Sequence, residues 1–132
     1  MENQKIVKVL VSEDQIRETV ARLGADITAS YQGITRELMV VGLLKGCFVF
    51  MADLVRQIKV PLVVDFMTLT SYGDGTVSSG DVKVVMDLDS SIEGRDVLLV
   101  EDIVDTGQTF SKVIQMMQKR NPRSLKVCTF LN

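Results

Sequence analysis

Three carboxylates and two threonines crowd one short stretch of this chain: Glu101, Asp102 and Asp105, then Thr106 and Thr109 on either side of Gly107 and Gln108. Just before them runs Val97-Leu98-Leu99-Val100, wholly apolar. Just after them Phe110, Val113, Ile114 and Met117 recur at i, i+3, i+4, i+7, the spacing of one helix face. That order predicts a buried parallel strand, a tight loop at its carboxyl end, and a helix beginning at the loop. Loops in this position hold ligands in open α/β sheets. A helix start offers unpaired N–H groups and the positive end of its dipole, which suits a phosphate. The acids suit a metal ion or sugar hydroxyls. One segment therefore supplies both halves of a phosphosugar site. The plainer alternative is a set of solvated strand-end acids before an ordinary turn. It explains each residue singly but not the combination of apolar run, acid pair, third acid and Thr-Gly-x-Thr.

Composition narrows the chemistry further. The 132 residues contain no histidine, which excludes Ser-His-Asp and Cys-His catalysis and any histidine-ligated metal. Oxygen ligands are then the natural choice for a cation. Net charge is −2 with no basic run, so nothing favours nucleic acid as a partner. Cys47 and Cys128 stand apart without C-x-x-C spacing and read as small buried hydrophobes of a reducing compartment. The start, Met1-Glu2-Asn3-Gln4-Lys5, lacks the long apolar core of a signal peptide, and no apolar run reaches membrane-spanning length. A cytoplasmic protein without membrane contact is the expectation. The seven methionines read as core filling. Neither a P-loop nor a dinucleotide fingerprint occurs, since Gly73-Asp74-Gly75 lacks the necessary continuation.

The elements that must position these residues are legible by pattern. Ser12-Glu13-Asp14-Gln15 reads as a capping box opening a helix whose face is Ile16, Val20, Leu23, Ile27 and Tyr31, with Gly33 as its stop. Leu38–Leu44 is a short buried strand, and Phe48–Ile58 a helix with Phe48, Met51, Leu54, Val55 and Ile58 on its apolar side. Leu62–Thr70 reads as a strand and Ser71–Gly80 as a mobile, glycine-rich polar loop. Val82–Met86 and Val97–Val100 are strands, Gln108–Lys119 a helix and Leu125–Leu131 a last strand. Strands alternating with helices predict an α/β fold, a mostly parallel twisted sheet with helices on both faces. No repeat or linker interrupts the chain, so residues 1–132 read as a single domain.

The stretch from Glu101 to Thr109 resembles the phosphoribosyl pyrophosphate signature of the type I phosphoribosyltransferases, a Rossmann-like family. Its wording is similar to that of the hypoxanthine-guanine branch, because Asp fills position 105 where adenine and orotate enzymes carry Ala or Thr. The resemblance implies that Glu101 and Asp102 face the ribose hydroxyls and a Mg2+ ion. It implies that Asp105, Thr106, Gly107, Gln108 and Thr109 wrap the 5′-phosphate, and that Asp105 is the catalytic residue, handling the purine N7 proton. Lys45-Gly46 falls at the family's pyrophosphate loop, and Ser71-Tyr72 opens its flexible loop. A mobile cover has a physical purpose, since an oxocarbenium-like ribosyl centre left open would react with water.

The implied activity is purine salvage: transfer of the phosphoribosyl group to hypoxanthine or guanine, giving IMP or GMP plus pyrophosphate. The implied partners are those small molecules and further copies of the chain, as a dimer or tetramer. Family members continue past the strand matched by Leu125–Leu131 with residues that read the purine, so a C-terminally truncated form is the expectation. Two other readings stand beside the enzyme. One is a non-catalytic phosphoribosyl pyrophosphate-binding regulator of the same fold. The other is a receiver-type phosphoacceptor, whose acid pair ordinarily follows the first strand rather than a late one.

Overall fold

The structure, a computed structural model, describes residues 12–44, 47–71, 82–103 and 107–131. Helix α1 spans Glu13–Ser30 and opens as its sequence dictates. Ser12 Oγ accepts from the Gln15 N–H at 3.1 Å, and Gln15 Oε1 accepts from the Ser12 N–H at 2.8 Å. Glu13 and Asp14 lie in the first turn, where the dipole favours negative charge. The helix ends at Ser30, earlier than Gly33. Tyr31 is the C-cap, its N–H bonding back to Ile27 and Thr28, and Gly33 follows in the next turn with φ +83°.

Strand β1 (Leu38–Leu44) occupies the middle of a five-stranded sheet that also contains β2 (Leu62–Ser71), β3 (Val82–Met86), β4 (Asp96–Ile103) and β5 (Ser124–Leu131). The order is β3-β2-β1-β4-β5. All pairings are parallel except β2 with β3, which is antiparallel. The mostly parallel sheet is thus as expected, with an antiparallel edge strand at one side.

Alternation along the central strands sorts the core into two layers. Leu38, Val40, Leu98 and Val100 pack beneath α1 and helix α2 (Phe48–Val55), meeting Val20, Ile27, Phe50, Met51 and Leu54. Met39, Val41, Leu43, Val97 and Leu99 face the other way, against Val113 and Met117 of helix α3 (Gly107–Gln118). Phe110 and Ile114 pack around this second layer, so the helix face read from their spacing is the buried one.

Helix α2 and strand β4 depart most from the sequence reading. Helix α2 stops at Val55, and Ile58 reaches the core from the turn beyond it. Phe48, expected on the apolar side, is 60% exposed, and Phe50 is buried in its place. A two-turn helix with apolar residues on all sides gives periodicity nothing to choose between, and the neighbouring strand decides. Strand β4 continues through Glu101 and Asp102 to Ile103, because β5 pairs with it that far: Glu101 faces Thr129 and Ile103 faces Leu131.

Candidate functional site

The chain leaves β1 through α2 to reach β2 on one side of the sheet, and leaves β4 through α3 to reach β5 on the other. Between β1 and β4 the order reverses. This is the topological switch point, the place where open α/β sheets bind ligands beyond the carboxyl ends of their strands. The register Met39↔Val97 to Gly42↔Val100 sets the two strands level, so their carboxyl ends lie side by side. Strand β2 runs parallel to β1, with Leu44 opposite Thr68, and its final residue Ser71 emerges at the same edge. The topology therefore brings the carboxyl ends of β1, β2 and β4 to one edge of one sheet.

Their residues fall as follows. Lys45, Gly46, Tyr72, Asp105 and Thr106 lie outside the described residues. The backbones of Asp102 and Ser71 belong to β4 and β2. Gly107, Gln108 and Thr109 form the first turn of α3, which begins one residue before the start read at Gln108. That place suits them, because first-turn N–H groups have no partner within the helix. No acid occupies this turn, in contrast to α1 with Glu13 and Asp14. The positive end of the α3 dipole is thus left without a carboxylate from its own first turn.

Glu101 is half-buried on β4, on the parity of Val97 and Leu99 and so on the α3 side of the sheet. Its carboxylate is a hard oxygen donor of the kind that Mg2+ or a sugar hydroxyl accepts as partner.

A feature that periodicity did not single out lies directly beneath this edge. Gly42 of β1 has the thiol of Cys47, the thioether of Met51 and the ring of Phe66 against its bare backbone. A Cβ there would stand 2.7 Å from Cys47 Sγ and 3.2 Å from Phe66 Cδ1. The available signal was the glycine itself, since a lone Gly inside an apolar strand marks a close approach. Cys47 and Cys128 are both buried and not joined in a disulfide, as their isolation in the sequence implied. Among the described residues no helix is long and apolar enough to cross a membrane.

Comparison with known proteins agrees with this geometry. The model of the phosphoribosyl transferase domain family matches residues 12–132. The hypoxanthine phosphoribosyltransferase of Salmonella typhimurium is 49% identical over 126 residues, covering 96% of this chain and 71% of that protein. The bifunctional protein TilS/HprT of Listeria innocua is 49% identical over 127 residues, and there the chain spans only 19% of the relative. Among solved structures, a Staphylococcus aureus hypoxanthine phosphoribosyltransferase superimposes with a TM-score of 0.86 at 43% identity, over 92% of this chain and 65% of that one. With strand order, switch point and sequence in agreement, the chain belongs to the phosphoribosyl transferase domain family, alongside the hypoxanthine enzymes.

Proposed function

We propose that the chain carries out purine salvage, transferring the phosphoribosyl group of 5-phosphoribosyl 1-pyrophosphate to N9 of hypoxanthine or guanine. The products are IMP or GMP and pyrophosphate. The observation that carries this reading is the switch-point edge, where the parallel strands β1 and β4 stand level and the α3 first turn holds no acid. Relatives at this level of identity bear the name of that activity.

The 5′-phosphate sits at the start of α3, held by the amides and hydroxyls of residues 105 to 109. Each charge-assisted hydrogen bond there contributes about 1.5–3 kcal/mol. Gly107 keeps the approach of the phosphate clear of a side chain. Glu101 and Asp102 hold the ribose hydroxyls, and with them the oxygen donors suited to Mg2+. Magnesium, when bound, supplies neutralisation of the departing pyrophosphate. Lys45 and Gly46 receive the pyrophosphate from the β1 side of the crevice.

As the bond from ribose C1 to pyrophosphate lengthens, C1 gains positive character and the purine N9 forms the new bond. The surrounding carboxylates stabilise that charge. Asp105 accepts the proton of purine N7 as N9 bonds to C1, so that the base of the nucleotide product is left neutral. No protein nucleophile is required. Residues following Ser71-Tyr72 exclude water from the ribosyl centre. The working form is a homo-oligomer, a dimer or tetramer.

The test is a titration of phosphoribosyl pyrophosphate with and without Mg2+, followed by hypoxanthine or guanine and an assay for released pyrophosphate. Magnesium-dependent binding and product formation are expected. Failure to bind in the presence of Mg2+ overturns the reading. Binding without product replaces it by the non-catalytic one.

A further inference from the structure

The face of the sheet that α3 covers is apolar over two successive rungs and then changes character. Met39, Val97 and Leu125 lie level on β1, β4 and β5, and Val41, Leu99 and Val127 form the next rung. One rung nearer the carboxyl edge, β4 presents Glu101 and β5 presents Thr129, in register with each other. Behind them along the strands stand Leu99 and Val127. On the β1 side stands buried Leu43, which follows the Gly42 that pairs with Val100. Glu101 and Thr129 are both half-buried. A half-buried carboxylate with apolar neighbours is unfavourable unless polar groups face it. Adjacent strands lie about 4.8 Å apart, so a threonine in register can reach the glutamate beside it. Its hydroxyl is a donor, and its β-branched side chain holds that donor in few orientations.

We infer that the Thr129 hydroxyl donates to the Glu101 carboxylate and holds it toward the ribose, which makes Thr129 a positioning residue for the sugar half of the substrate. The inference rests on the phosphoribosyl pyrophosphate reading given above, in which Glu101 holds ribose hydroxyls. Its basis is the coincidence of two changes on adjacent strands. Buried parallel strands ordinarily run on in aliphatic residues, and β4 and β5 both depart from that at the same rung. A glutamate has three side-chain torsions, and fixing one carboxylate oxygen leaves the other set for a ligand. The acceptor capacity the sugar needs is kept, because a carboxylate accepts at about four lone-pair sites. A carboxylate ordered beforehand also loses less side-chain freedom when the ligand arrives.

The experiment measures binding of ribose 5-phosphate and of inorganic phosphate, both with Mg2+, to the wild type, Thr129→Val, Thr129→Ser, Glu101→Ala and the double variant Glu101→Ala with Thr129→Val. Inorganic phosphate carries no sugar, so it reports the start of α3 alone. Thr129→Val keeps the shape and deletes the donor. It should weaken ribose 5-phosphate binding by about fivefold or more and leave inorganic phosphate within about twofold. Thr129→Ser keeps the hydroxyl and should stay within about twofold of the wild type for both ligands. In the Glu101→Ala background the valine should add less than about a twofold loss, because the group it no longer positions is already gone. Thr129→Ala carries the same contrasts if Thr129→Val does not fold. No loss with valine, equal loss of both ligands, or failure of serine to preserve binding overturns the inference. A full further loss in the double variant overturns it too, since Thr129 would then act on the ligand itself. A wild type that binds ribose 5-phosphate no better than inorganic phosphate removes Glu101 from the ribose and the inference with it. A wild type that binds neither ligand overturns the functional reading beneath it.

Discussion

Arg120 grips Asp87 at two points, Nη1 to Oδ1 at 2.8 Å and Nη2 to Oδ2 at 3.1 Å. The pair ties the residue just past α3 to the residue just past β3, bracing the helix whose opposite end forms the candidate phosphate site. The Arg120 hydrogen bond holds the Asp87 carboxyl below its ordinary value; partial desolvation opposes this, and the Leu88 N–H adds to it at 2.7 Å. A depressed carboxyl stabilises the fold at pH values above its unfolded pKa. That contribution is lost as pH falls through the lower, folded value. Asp87 is half-exposed, so solvent screening keeps the contribution below about 1 kcal/mol. Arg120→Gln should therefore cost less than about 1 kcal/mol in urea unfolding at neutral pH. The gap to wild type should close once the medium is acid enough to protonate Asp87 in both. An undiminished gap there would show that Arg120 acts through packing instead.

Gly24 supports the site from farther away by letting α1 and α2 approach closely. A Cβ at this position would run into Gln57 Cβ and stand 2.8 Å from the Gln57 carbonyl oxygen. A backbone atom cannot swing aside as a side-chain tip can. The same junction carries the Thr28 hydroxyl, which donates to the Gly24 carbonyl at 2.7 Å and accepts from the Lys59 N–H at 2.9 Å. Gly24→Ala should lower stability by about 1–3 kcal/mol, the usual range for overpacking, read from the shift in urea midpoint at constant slope. Gly94 is the control for glycine chemistry alone, since its φ of +72° is strained for alanine but no atom lies within 4 Å of the added Cβ. Its alanine variant should cost less than that of Gly24.

Sequence alone located most of this architecture because most of its signals are local. The continuous apolar run of β1 gave Leu38–Leu44 without error, since a strand buried on both faces needs no alternation. Ser12 and Gln15 fixed the start of α1 by their own hydrogen bonds. What escaped was set by neighbours. The reach of β4 through Glu101 and Asp102 depends on β5, whose residues lie 28 positions later in the sequence, as in Glu101 opposite Thr129. The antiparallel direction of β3 leaves no mark in Val82–Met86 itself. For the site, the carboxylate pair was legible in the sequence, and the fold puts it near the carboxyl end of β4, beside the switch point. The cradle at Gly42 needed β1, α2 and β2 to be assembled before it existed.

Asp105 is the residue on which the chemistry turns in the proposed reaction. If it holds the purine N7 proton, Asp105→Asn keeps a hydrogen-bonding group of the same size and removes the base. Affinity for phosphoribosyl pyrophosphate should persist, because residues 106 to 109 still supply the phosphate contacts. Turnover with hypoxanthine should fall by about 10²–10⁴, the range for a general acid–base group. Single-turnover release of pyrophosphate separates the two effects. Unchanged turnover would remove Asp105 from the proton transfer, whereas lost binding would make it a phosphate ligand first.

Tyr31 offers a test at the other end of the pH scale. Its ring is 3% exposed at the end of α1, the Lys126 ammonium lies 5.0 Å from the ring centroid, and the buried hydroxyl has no hydrogen-bond partner among the described residues. Burial, followed by the charges of Asp96 and Cys128, pushes its pKa up to about 12 from 10.0. A raised phenol stabilises the fold fully below pH 10.0, and that contribution drains away as pH rises toward about 12. Cys128 behaves in the same sense, pushed up to about 11 by burial. Tyr31→Phe deletes an unpartnered polar atom, which removes a desolvation penalty and leaves the ring packing intact. At neutral pH the variant should be as stable as the wild type or more so. At alkaline pH it should lose stability less steeply, keeping only the Cys128 component, and Tyr31→Phe with Cys128→Ala should flatten the slope further. A variant markedly weaker at neutral pH would mean that the hydroxyl has a partner in solution.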